Sequence, residues 1–237
     1  ILDESPELAG GNRPAVLICP GGAYMGCSDR EGEPVAMKFL SMGYQAYVLR
    51  YSTYFKGNMH DVGFGEIKVQ PETAYPKPML EIGMAMLAIR EHADAWRTDI
   101  SRVAVCGFSA GAHNAAMFSV YYDQPVVTKA LAATADEIRP AAAILGYCLS
   151  DYCFMKKASA DPQAMHFFNS SNTAYLGTPA PSEELLQEVS PAQHVSESTP
   201  PMFLWATSAD SMVPVQNTIL MAKALADKKI PFEVHIF

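Results

Sequence analysis

The chain has 237 residues, 49% of them hydrophobic and 18% charged, which is ordinary usage for a globular protein and enough for one large core. The formal net charge is −8, and its 17 basic residues are scattered, so binding to nucleic acid or to an anionic membrane surface is disfavoured. No apolar run reaches the 18 residues of a membrane span, and the five cysteines include no zinc-type C-x-x-C pair.

Taken in chain order, residues 14–19 (PAVLIC) form a short continuous apolar run ending at Pro-Gly-Gly, the pattern of a strand buried on both faces. Residues 33–42 have helical spacing through Val35, Met37 and Leu40, with Gly43 as the stop. Residues 44–51 read as a strand and residues 52–75 as a long loop without period. Residues 76–90 are helical, with one stripe at Leu80, Met84 and Leu87 and another at Ile82, Met86 and Ile89, so the helix is expected to be widely covered. A strand at 102–106, a helix at 110–120 and a strand at 141–145 follow. Residues 148–199 read as irregular apart from a short helix near 182–189, and so long a connection is expected to be a lid or binding insertion. A strand at 202–207, a helix at 214–228 and a strand at 232–237 complete the chain. This alternation predicts a single α/β domain over 1–237, with a mostly parallel, doubly wound sheet, helices on both faces and an insertion between late strands.

Three short motifs fall where such a sheet places its chemistry. Gly107-Phe108-Ser109-Ala110-Gly111 fits G-x-S-x-G, with a strand immediately before it and a helix immediately after. That corner forces the serine into a strained backbone and lifts its hydroxyl clear of the sheet, beside helix-start N–H groups. Cys19-Pro20-Gly21-Gly22-Ala23-Tyr24 follows the first strand, and its small residues can present backbone N–H groups to a developing oxyanion. Asp210-Ser211-Met212-Val213-Pro214 follows the strand at 202–207, placing an acid able to hold an imidazole. Each has a plainer alternative: a helix cap at Ser109, a turn at Pro-Gly-Gly, a helix cap at Asp210.

In order and wording, these motifs resemble the α/β-hydrolase superfamily. More narrowly, CPGGAYMGCSDREGEPVA and PPMFLWATSADSMVP resemble the acetylesterase-type carboxylesterases, a hormone-sensitive-lipase-like group that includes bacterial sugar-ester and xylan deacetylases. The resemblance implies Ser109 as nucleophile, Asp210 as the acid orienting the base, and the backbone N–H groups of Gly22, Ala23 and Ala110 as oxyanion donors. It departs from the family pattern at Ala23, where a glycine is usual. It implies hydrolysis of a small-molecule ester carrying a short acyl group, acetyl first, on an alcohol such as a sugar, with no cofactor and no metal. Serine peptidase, lactonase and formamidase activities share the frame, as does a hydrolase-fold binding protein without chemistry. Self-association into a homo-oligomer is left open.

The superfamily order of Ser, acid, His leaves His235 as the one histidine after Asp210. It lies inside FEVHIF and reads as a strand residue, so the base is expected beyond Phe237. His113, four residues after Ser109, reads as structural, and His60, His92, His166 and His194 as solvated or locally bonded. The first residue is not Met, so the start reads as trimmed; with no visible signal peptide and an odd cysteine count, a cytoplasmic setting is expected.

Overall fold

A computed structural model describes residues 11–55, 67–159 and 161–237. Its six strands are β1 (Arg13–Cys19), β2 (Gln45–Val48), β3 (Thr98–Phe108), β4 (Ala142–Gly146), β5 (Met202–Ala206) and β6 (Phe232–Ile236). They form one sheet in the order β2-β1-β3-β4-β5-β6, with every pairing parallel. Parallel strands need crossovers, and helices supply them: α1 (Glu33–Ser41) between β1 and β2, α2 (Lys77–Glu91) between β2 and β3, α3 (Ala110–Tyr121) after β3, and α9 (Gln216–Asp227) between β5 and β6. Two short helices, α4 (Pro125–Leu131) and α5 (Ala135–Ile138), complete the path from α3 to β4. Of the long loop read at 52–75, residues 56–66 lie outside the described residues.

Burial on both faces explains the unbroken apolar runs. Ala15 and Leu17 point into the main core with Val105, Met117, Phe118 and Leu145. Val16 and Ile18 point the other way, into a smaller cluster with Ala36 of α1 and Cys106 of β3. Helices α2, α3 and α9 contribute to the main core, and α1 to the opposite face.

The chain runs from β1 outward to β2 and then returns past β1 to β3. The loops after β1 and β3 therefore leave neighbouring strands toward opposite faces of the sheet. Such a switch point opens a crevice at the carboxyl ends of the strands, where α/β proteins bind their ligands. The register Cys19↔Gly107 brings the Pro-Gly-Gly loop beside the Ser109 corner.

Between β4 and β5 the structure bears out the short helix read near 182–189 and corrects the irregular reading of the residues before it. Three helices occupy the segment: α6 (Tyr152–Ala158), α7 (Pro162–Leu176) and α8 (Glu183–Glu188). Asp151 caps α6 by accepting from the Phe154 N–H, and Asp161 caps α7 by accepting from those of Gln163 and Ala164. Strand β3 is longer than its apolar centre, and β2 shorter than the 44–51 run.

Candidate active site

Ser109 sits between β3 and α3 with φ 51° and ψ −120°, a left-handed conformation that costs any side chain about 1–3 kcal/mol. Tight packing holds it there. A Cβ at Gly107 would stand 2.2 Å from the Gly111 carbonyl oxygen, and one at Gly111 would stand 2.0 Å from the Cys19 carbonyl oxygen. The Ser109 N–H donates to the Gly146 carbonyl at 3.0 Å, tying the corner to the end of β4.

Facing it, the 20–24 loop carries three consecutive positive φ values: 140° at Gly22, 53° at Ala23 and 58° at Tyr24. Ala23 therefore adopts the left-handed shape that a glycine would take more cheaply. Among the described residues, no protein acceptor is hydrogen-bonded to the N–H groups of Gly22, Ala23 or Ala110. The loop's carbonyls are occupied: Pro20 accepts from the Tyr51 hydroxyl at 2.7 Å and Ala23 from the Ser171 hydroxyl of α7 at 3.1 Å. Its Tyr24 ring stacks on Tyr175 of α7 with centroids 3.8 Å apart. Helix α7 is thus a buttress for the loop.

Asp210 follows β5. Its Oδ1 accepts the N–H groups of Met212 and Val213, both at 2.9 Å, which fixes the carboxylate in an Asx turn. A cavity of about 40 Å³ touches Ser109, Ala110 and Ala23 on one side and Met212 and Val213 on the other, so the 210–214 loop borders the serine's own cavity. Leu149, Tyr152 and Phe168 also line it. A larger cleft of about 700 Å³ adjoins it, with Met155, Phe167 and Met212 lining both. The cleft wall adds polar groups from the segment between β4 and β5 and from the 210–214 loop, among them Asp161, Gln163, His166, Ser170 and Ser211.

The histidines divide clearly. His113 is fully buried beside Ser109, yet both ring nitrogens are engaged. Its Nε2 bonds the Val189 carbonyl at 2.8 Å, which can only accept, so Nε2 carries the proton and Nδ1 accepts from the Tyr24 hydroxyl at 2.5 Å. Burial pushes the His113 pKa down to about 4, against a partial upward pull from the Val189 carbonyl. A buried neutral histidine binds its proton in the unfolded chain before it can in the folded one. Its stabilising contribution is therefore complete above pH 6.5 and is lost as pH falls toward 4, about 3 kcal/mol in all. Urea denaturation at pH 7 and pH 4 should show that loss in the wild type, and His113→Gln should flatten that part of the slope.

His235 lies within β6, with Nε2 bonded to Glu233 at 2.5 Å and its ring against Phe203 and Phe237. It lines neither cavity. His194 bonds the Gln187 carbonyl, His92 ends α2, and His60 lies outside the described residues. Among the described residues, no histidine is hydrogen-bonded to Ser109 or Asp210. Sequence reasoning passed over Glu31: its Oε2 accepts the Gly21 N–H at 2.7 Å and its Oε1 the Tyr147 hydroxyl at 2.8 Å. No pattern in SDREGEP marks that role, because Tyr147 is far away in the chain.

A parallel doubly wound sheet with a left-handed serine at the β3–α3 corner, facing a Pro-Gly-Gly loop, is the arrangement of an α/β-hydrolase. The chain belongs to the BD-FAE family, whose model matches residues 4–225. It is 30% identical over 225 residues to endo-1,4-beta-xylanase B of Butyrivibrio fibrisolvens, an alignment covering 95% of this chain and 31% of that protein. It is 26% identical to esterase LipQ of Mycobacterium tuberculosis over 94% of this chain and 48% of that one. The chain thus spans a third to a half of these two relatives. The solved structure of an acetyl ester-xyloside bifunctional hydrolase from Caldicellulosiruptor lactoaceticus superposes with a TM-score of 0.75 at 30% identity, covering all of this chain and 75% of that one. Among the described residues, no helix is long and apolar enough to cross a membrane.

Proposed function

We propose that this protein is a serine esterase that hydrolyses short-chain acyl esters, acetyl esters foremost, of hydroxyl-rich alcohols such as sugars. The observation that carries this reading is the Ser109 corner: a strained hydroxyl on the rim of a small cavity, opposite backbone N–H groups without protein acceptors. In the first step the Ser109 Oγ attacks the ester carbonyl carbon as its proton passes to a histidine base oriented by Asp210. The carbonyl oxygen gains the negative charge and takes hydrogen bonds from Gly22, Ala23 and Ala110. The alcohol leaves with the proton, and water then attacks the acyl-enzyme by the same route. His113 is unsuited to be the base, since it is fully buried, both ring nitrogens are already engaged by Tyr24 and the Val189 carbonyl, and burial disfavours its protonated form.

Size supports the acyl half. One water needs roughly 10–15 Å³, so a cavity of about 40 Å³ beside Ser109 matches an acetyl group in size. The alcohol half fits the larger cleft, whose polar side chains suit hydroxyl groups. Similarity to an acetyl ester-xyloside hydrolase points the same way. On p-nitrophenyl esters the full-length protein should show kcat/KM for acetate about 10²-fold above that for octanoate. Equal turnover of octanoate would refute the cavity's role, and turnover of lactones or peptides without that of esters would move the protein to another hydrolase class.

A further inference from the structure

We infer that Glu31 is a positioning residue of this site, whose carboxylate fixes the loop bearing the oxyanion donors against the Ser109 corner; this rests on the esterase reading above. The loop needs such a fixture. Its left-handed residues Ala23 and Tyr24 are intrinsically costly, and the N–H groups of Gly22 and Ala23 must stay unbonded to serve an oxyanion. Anchoring on the amide side therefore falls to Gly21, and the acceptor there is Glu31 Oε2 at 2.7 Å.

The other carboxylate oxygen reaches across the site. Glu31 Oε1 accepts from the Tyr147 hydroxyl at 2.8 Å. Tyr147 follows Gly146, whose carbonyl accepts the Ser109 N–H, and the Tyr147 N–H donates to the Trp205 carbonyl at 2.7 Å. One carboxylate thus links the loop after β1 to the backbone after β4, and through it to the nucleophile's own amide. Space around the link is already filled. A Cβ at Gly21 would stand 2.6 Å from the Phe108 carbonyl oxygen, 2.7 Å from Glu31 Oε2 and 3.0 Å from Ser109 Cβ. Glu31 is held in turn by the short 3-10 turn Asp29–Glu31, with Arg50 paired to Asp29 at 2.9 Å and to Glu33 at 3.0 Å on either side.

A negative charge this close to a developing oxyanion opposes it. What Glu31 supplies is therefore geometry, and the two can be separated. Glutamine at 31 keeps both links, with its amide oxygen accepting from Gly21 and its NH₂ donating to the Tyr147 oxygen, while removing the charge. Alanine removes both links. The expected result with p-nitrophenyl acetate is that Glu31→Ala lowers kcat about 10²-fold while KM moves less than about threefold. Glu31→Gln stays within about threefold of the wild type in kcat, and Tyr147→Phe, losing one arm, falls about tenfold. Hydrogen exchange by mass spectrometry reads the loop without using catalysis: peptides spanning residues 20–25 should exchange faster in Glu31→Ala and not in Glu31→Gln.

A kcat for Glu31→Ala within threefold of the wild type, or unchanged exchange in those peptides, would overturn the inference. If Glu31→Ala fails to fold, Tyr147→Phe carries the test, and wild-type kcat in that variant overturns the link. A wild type with no esterase activity defeats the esterase reading instead; the exchange measurement then decides the link alone.

Discussion

Ser109→Ala lowers kcat/KM for p-nitrophenyl acetate by about 10⁴-fold or more. The substitution removes the oxygen proposed to attack and little else, since the backbone of the corner is imposed by its neighbours. Gly107 and Gly111 let α3 start against β1 and β3, and the Gly146 carbonyl still receives the residue 109 N–H. The variant should therefore fold as the wild type does and keep its loop N–H groups in place. A remnant of hydrolysis above the water rate is consistent with that, because donors and binding act without the nucleophile. A fluorophosphonate probe gives the second readout: it labels the wild type at Ser109 and leaves the alanine variant unlabelled. Labelling that persists in the variant would place the nucleophile elsewhere.

Gly111→Ala should destabilise the protein by about 4 kcal/mol or more. The added methyl would lie 2.0 Å from the Cys19 carbonyl oxygen and 2.4 Å from that of Pro20. Both are backbone atoms at the end of β1, so no side chain can swing aside to make room. Relief requires moving α3 or the 20–24 loop, and either motion separates Ser109 from the N–H groups opposite. Gly11→Ala is the control, because its methyl meets nothing within 4 Å. Urea denaturation measures both. A cost below about 1 kcal/mol at Gly111 would mean that the corner is looser than described.

Much of this frame is legible in the sequence because local physics is strong where the site is built. PAVLIC reads as a strand buried on both faces and folds as β1, and GFSAG between a strand and a helix puts the serine at their corner. The place of Asp210 is legible for a similar reason, following β5 and preceding a helix that starts near a proline. Of the insertion, only the short helix near 182–189 was legible. Helix α7 buries Ser171, Asn172 and Thr173 between Phe168 and Ala174-Tyr175, so polar residues interrupt the apolar period of its buried stripe. Glu31 was hidden for a different reason. Its partners lie in the loop after β1 and after β4, a pairing that only the sheet order creates. His113 was correctly read as structural, though nothing local announces that it bridges Tyr24 and Val189.

The all-parallel pairing also bears on how the molecule comes into being. Ala15 pairs with Val103, so β1 must wait for β2 and α2 to be laid down before its second neighbour arrives. Closing so long a span is entropically expensive and slow, and nothing short of it brings the Pro-Gly-Gly amides to the serine. A half-folded chain therefore has no rudimentary version of the site to offer. Recovery of turnover during refolding should track the last long-range docking event, not the early gain of helix.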